Sequence, residues 1–322
     1  MKPTPFRDYV DRAAEGRNSL PRIVLGSALI ILVWIALTAA VLVGGLALDV
    51  WIQEDPRGVG IDSMADTGSG SFLSSSLGIA VTLLSLGSLW PATWLALAVV
   101  HRRRFATVLG RAYRLPVAEF TRAALVTAVV LIAFSMLWLP LDWPSRTGLD
   151  VGAWLLAAVP LLLVVLLQTS AEELAFRGYL QQALAHQFRS PLIWAAVPAL
   201  LFTLLHLSSE LSVAMNGAVL VQIAAFAAVM ALLVVRTGSL AASMGAHFGN
   251  NVLAILVLSS SAGTEATALL KGRPIEDPTW TGPELVALTL SGIVAYALIW
   301  VLLTARWSPV RLRVSTAGAG PV

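Results

Sequence analysis

The chain has no cysteine and little charge. With no cysteine among 322 residues, disulfides, iron–sulfur ligation, CxxC redox chemistry and thiol catalysis are excluded. Charged residues make up 12% of the chain and hydrophobic residues 57%, whereas a soluble globular domain carries about 25% charged residues. Mean hydropathy is +0.81. Lysine is confined to Lys2 and Lys271, so the positive charge is almost wholly arginine. HExxH and GxSxG are absent, and no serine or threonine is evidently paired with a base, which removes the simplest zinc-protease and serine-hydrolase readings. The pI near 9.7 reflects short arginine-rich loops that orient a membrane protein, with no nucleic-acid face.

What the chain has instead is long apolar runs, at Ile23–Leu48, Leu77–Val100, Ala123–Leu141, Val151–Gln168, Leu192–Leu207, Val213–Val235, Leu240–Leu258 and Leu285–Thr304. Each approaches the roughly 20 residues that cross a bilayer. The expected fold is all-α, a polytopic membrane bundle of about eight transmembrane helices. Four parts follow: a cytoplasmic N-terminal segment 1–22, a three-helix membrane region 23–150, a membrane core 151–258, and 259–322, comprising a loop, the last helix and a cytoplasmic tail. Met1 to Arg22 is polar and mixed in charge, and the run after it is too long for the core of a secretory signal, so Ile23 begins the first span.

Charge between the runs alternates. Arg7, Arg12, Arg17 and Arg22 precede the first; Asp49, Glu54, Asp55, Asp62 and Asp66 follow it; the next loop holds Arg102, Arg103, Arg104, Arg111, Arg114 and Arg122. The alternation continues to Arg306, Arg311 and Arg313, with Arg57 and Arg146 as exceptions. The positive-inside rule then places both termini in the cytoplasm. The loop Arg102–Arg122 reads as a topogenic segment suited to anionic headgroups, the Gly-, Ser- and Asp-rich loop Asp49–Ser76 as mobile, and the tail Ser315–Val322 as disordered.

Three segments put polar groups where the apolar pattern opposes them. In Ser170-Ala171-Glu172-Glu173-Leu174-Ala175-Phe176-Arg177, Glu173 and Arg177 share a helix face at i,i+4 and can pair. Glu172 points about 100° away and is left for other work. The bland alternative is a solvated helix end. Next, His206 ends an apolar run four residues after Phe202; alone it reads as a structural group. Third, His247 and Asn251 lie one turn apart on one face of an apolar span, where hydrogen bonding to a neighbouring helix would also account for them.

Taken jointly, the three carry more. Glu172 and His206 are equidistant from residue 189, at the turn between two runs. In a helical hairpin both would stand about 25 Å from that turn, provided the helix bearing Glu172 continues through about Gln187. Ionisable groups inside a bilayer are costly and mark functional sites by default. The chemistry open to such a cluster is water activated by Glu172 as general base, with His206 orienting the water and His247 and Asn251 donating to an oxyanion. A two-histidine, one-carboxylate zinc site of Glu172, His206 and His247 is the competing chemistry. No cofactor is favoured over zinc-free catalysis.

At these residues the chain resembles the CPBP family, the CAAX-processing and bacteriocin-processing intramembrane proteases also called Abi or Rce1-like. The family's EExxxR, FxxxH and HxxxN motifs match Glu172-Glu173 with Arg177, Phe202 with His206, and His247 with Asn251, within about Leu161–Val257. The resemblance implies hydrolysis of a peptide bond in a membrane-associated protein or peptide, in a bacterial cytoplasmic membrane, with the lipid bilayer and no nucleic acid as its surroundings. Two other classes stand beside it. One is a non-enzymatic immunity or scaffolding protein that binds peptides in the same cavity. The other is a transporter with a proton-relay carboxylate, disfavoured because no internal symmetry relates the two halves.

Overall fold

The computed structural model describes residues 4–54, 72–138 and 144–313. Much of the loop expected to be mobile (55–71), the residues 139–143 with Pro140 and Asp142, and the tail Ser315–Val322 lie outside the described residues.

The chain is an all-α polytopic bundle. A short helix α1 (Pro5–Asp11) precedes α2 (Leu20–Glu54), α3 (Ser76–His101), α4 (Val117–Met136), α5 (Val151–Gln187), α6 (Leu192–Leu204), α7 (Val213–Thr237), α8 (Ala241–Val257) and α9 (Gly282–Thr304). Six of these, α2, α3, α4, α5, α7 and α9, are long and apolar enough to cross a membrane; α6 and α8 are shorter apolar helices. The eight apolar runs thus become eight helices, but two fall short of full span. Those two carry the motifs of Phe202, His247 and Asn251.

Burial is inverted relative to a soluble protein. Leu156 is 81% exposed while Gln168, Thr169, Glu173, Arg177, Gln181 and Gln182 are all buried. In lipid an apolar side chain gains nothing by turning inward, whereas a polar one must find partners there. α2 is apolar all round, and Val24, Leu32 and Val43 are exposed on it. Both faces of its sequence therefore read alike.

α5 continues past its polar residues to Gln187, as the hairpin required. It does so through π-helical turns over Leu174–Gln181, directly after the two glutamates. Such turns displace the hydrogen-bond ladder and concentrate at functional sites. The Tyr9 hydroxyl, wholly buried, donates to the Val108 carbonyl at 2.8 Å and lies 3.4 Å from that of Arg177. Gln182 donates to the Tyr9 and Thr107 carbonyls, both at 2.8 Å. α1 is thereby tied to the end of α5.

α8 packs closely on α4 through two glycines one turn apart. A Cβ at Gly245 would stand 2.1 Å from the Phe120 carbonyl oxygen, and one at Gly249 2.4 Å from that of Ala124. Small residues at this spacing let helix backbones approach each other. His247 is thus held at a fixed distance from α4. At the opposite end of the bundle from α1, three two-residue strands, β1 (Ser145–Arg146), β2 (Leu258–Ser259) and β3 (Leu270–Lys271), form a small sheet in the order β1-β3-β2. β1 pairs antiparallel with β3 and β2 parallel to it. The loop 259–281 is therefore ordered where the sequence indicated only mixed composition.

Candidate active site

Glu172, Glu173, Arg177 and His247 meet between α5 and α8, all buried. Glu173 Oε1 accepts from Arg177 Nη1 at 2.9 Å, the expected i,i+4 pair. The same oxygen lies 3.0 Å from His247 Nδ1. Arg177 also donates to the Ala227 carbonyl on α7 at 3.3 Å, and its guanidinium lies over the Phe202 ring at 4.6 Å. A buried ion pair holds only when its remaining hydrogen-bonding groups are met as well. Here α7 and the Phe202 face meet those of the arginine.

Glu172 faces the other way, as its position on the helix requires. Gln168 Nε2 donates to its Oε1 at 2.7 Å, and its Oε2 lies 3.6 Å from His247 Nε2. With Nδ1 engaged by Glu173, Nε2 is the histidine nitrogen left for chemistry. It accepts when the ring is neutral and donates when the ring carries a second proton. A gap of 3.6 Å is long for a direct hydrogen bond and raises the question of a bridging water.

Asn251 does not touch Glu172. Its Nδ2 donates to Gln168 Oε1 at 2.9 Å, and its Oδ1 accepts from Asn250 Nδ2 at 2.9 Å. Asn250 Oδ1 in turn accepts from the Tyr296 hydroxyl at 3.0 Å. A chain of side-chain hydrogen bonds thus runs from α9 through α8 to Glu172 on α5. Gln168 and Tyr296 were not among the residues singled out from sequence. Gln168 carried a signal, since it lies four residues before Glu172 inside an apolar run.

The hairpin brings Phe176 and Phe202 together rather than Glu172 and His206. Phe176 and Phe202 are equidistant from residue 189, and their rings meet edge-on at 5.2 Å. Phe202 also approaches the His247 ring, at 6.0 Å, and Phe226 of α7 packs edge-on against that ring at 4.9 Å. His206 stands apart from the polar cluster. It follows the end of α6 in an exposed turn, with Nδ1 2.8 Å from the Phe202 carbonyl and its ring 4.8 Å from the Phe202 ring. It makes no ion pair or hydrogen bond with Glu172. Among the described residues, no three His, Cys, Asp or Glu side chains are gathered as metal ligands. His206, apart from Glu172 and His247, does not complete a three-ligand set with them in this arrangement.

The family model described as "Type II CAAX prenyl endopeptidase Rce1-like" matches residues 153–253, a stretch that holds Gln168 and every residue named from the three motifs. The chain is also 29% identical over 223 residues to "Uncharacterized protein YyaK" of Bacillus subtilis (strain 168), an alignment that covers 65% of this chain and 71% of that protein. The resemblance read from the motifs thus stands.

Proposed function

Taking as premise the family-level reading, an intramembrane protease of the CAAX-processing type, we propose that Glu172 activates water for hydrolysis of a peptide bond in a membrane-associated protein or peptide. One observation carries the proposal: the buried, 3.6 Å separation of Glu172 Oε2 from His247 Nε2, with each partner held from behind by a different group. Gln168 holds the carboxylate and Glu173 the imidazole.

In the proposed reaction, Glu172 takes a proton from water while the water oxygen attacks the carbonyl carbon. The resulting oxyanion takes a hydrogen bond from Nε2–H of His247. It takes another from the amide hydrogen that Asn251 does not give to Gln168. His206 orients the water once its side chain swings from the Phe202 carbonyl towards Glu172. As the tetrahedral species collapses, the C–N bond breaks and Glu172 returns its proton to the leaving amine, giving a carboxylic acid and an amine. No step passes through a metal. The arginine-rich end of the bundle, with α1 and the end of α9, faces the cytoplasm in this reading.

The test is cleavage of a membrane-peptide library by purified protein, comparing wild type with Glu172→Gln, each with and without a chelator. Cleavage lost in the variant and unaffected by the chelator is the expected result. Equal cleavage by wild type and variant would remove Glu172 from the mechanism, and loss on chelation would require a metal. A variant that binds substrate and retains the biological effect would favour the scaffolding alternative.

A further inference from the structure

Beyond the catalytic cluster, the end of α9 holds a second polar site. After Thr304 the chain turns sharply. The Ser308 N–H donates to the Ala305 carbonyl at 3.2 Å, and the Leu312 N–H donates back to the Leu303 carbonyl at 2.9 Å. Leu312 is 1% exposed and packs in the same cluster as Ile299 and Leu303. Arg122, at the start of α4, donates to the Arg311 carbonyl at 3.2 Å. The turn is therefore pinned by main chain, by an apolar plug and by a neighbouring helix.

Arg306, Ser308, Pro309, Arg311 and Arg313 line a cavity of about 440 Å³ at this turn. No acidic residue is among them, and none of the three guanidinium groups has an ion-pair partner among the described residues. Ser308 is 7% exposed, and its Oγ and the Nε of Arg311 are buried without a hydrogen-bond partner. Buried donors left unpaired are unfavourable, so an occupant rich in acceptor oxygens would satisfy both. Trp307, beside them in sequence, is 70% exposed; tryptophan at a helix end marks the headgroup level of a bilayer.

We propose that this cavity binds the phosphate group of an anionic phospholipid. Its oxygens take hydrogen bonds from Arg311 Nε and the Ser308 hydroxyl, and its charge is met by three arginines. The acyl chains have a surface at hand, since Val294, Leu298 and Val301 are exposed on α9. A free phosphate ion shares the headgroup chemistry but not that second contact.

Native mass spectrometry on the full-length protein in detergent tests this, with phosphatidylglycerol, phosphatidylcholine or inorganic phosphate added. Wild type should carry a phosphatidylglycerol adduct, and its affinity should fall about fivefold for each of Arg306, Arg311 and Arg313 replaced by Gln. The control pair Arg7→Gln and Arg189→Gln, both exposed and away from this turn, should leave that adduct unchanged. Arg306 and Arg313 are exposed, so their variants keep the test decisive even where Arg311→Gln or Ser308→Ala disturbs the turn. Equal loss in the control pair, or phosphatidylcholine bound as tightly, overturns the proposal. Inorganic phosphate that displaces phosphatidylglycerol at equal concentration assigns the site to a free anion and overturns the lipid reading.

Discussion

Asn251 reaches Glu172 only through Gln168, whose amide accepts from Asn251 at 2.9 Å and donates to Glu172 at 2.7 Å. An amide is suited to this place because it offers an acceptor at one end and a donor at the other. Gln168 is thus a positioning residue for the carboxylate. Gln168→Ala should lower kcat, by up to about a hundredfold, with KM little changed, since small displacements of a reacting group have effects of that size. A change confined to KM would instead make Gln168 a substrate contact. The kinetics of peptide cleavage separate the two.

Glu173 and Arg177 form the structural half of the site. Removing Arg177 leaves the buried Glu173 without its guanidinium partner, facing the His247 ring. Arg177→Met should therefore destabilise the protein by about 3–5 kcal/mol, read as a fall in thermal unfolding temperature in detergent. Glu173→Gln combined with Arg177→Met should recover part of that loss, because neither charge is then left alone. A double variant no more stable than Arg177→Met alone would show that the stability comes from the Phe202 stacking and the Ala227 bond.

The eight-helix plan and the pairing of Glu173 with Arg177 were legible because each rests on local spacing: apolar run length for the helices, i,i+4 for the pair. The continuation of the helix bearing Glu172 to Gln187 was legible from the hairpin argument. The Gln168 link was not read, because one amide in an apolar run looks neutral until its partner on another helix is known. The place of His206 was not legible either. The apolar run continues to Leu207, but α6 ends at Leu204, and no residue in the sequence marks that stop.

The wholly buried Tyr9 connects the N-terminal segment to the site. Burial pushes its phenol above the ordinary value, so it stays a neutral donor to Val108 and to the π-helical turns of α5. Tyr9→Phe keeps the ring and removes the donor, leaving the Val108 carbonyl without that partner. The expected cost is about 1–3 kcal/mol, with faster hydrogen exchange in 174–181 and in α1. Unchanged exchange in 174–181 would mean that α1 is merely attached there and does not support the turns.

Gly245 and Gly249 fix how near α8 comes to α4, and with it where His247 and Asn251 stand. Any side chain at either position meets backbone, which cannot swing aside as a flexible side chain does. Gly249→Val should push α8 off α4, costing about 1–3 kcal/mol as overpacking does, and should widen the separation of His247 from Glu172. Activity should therefore fall further than the stability loss explains. Gly44 is the control: a Cβ there meets nothing within 4 Å, and within α2 an alanine is the better helix former by about 1 kcal/mol. Gly44→Ala should leave both stability and activity at or above wild type. Unfolding temperature and cleavage rate measured on the same preparations decide the matter: if Gly249→Val behaves like Gly44→Ala, the contact of α8 with α4 does not position the site.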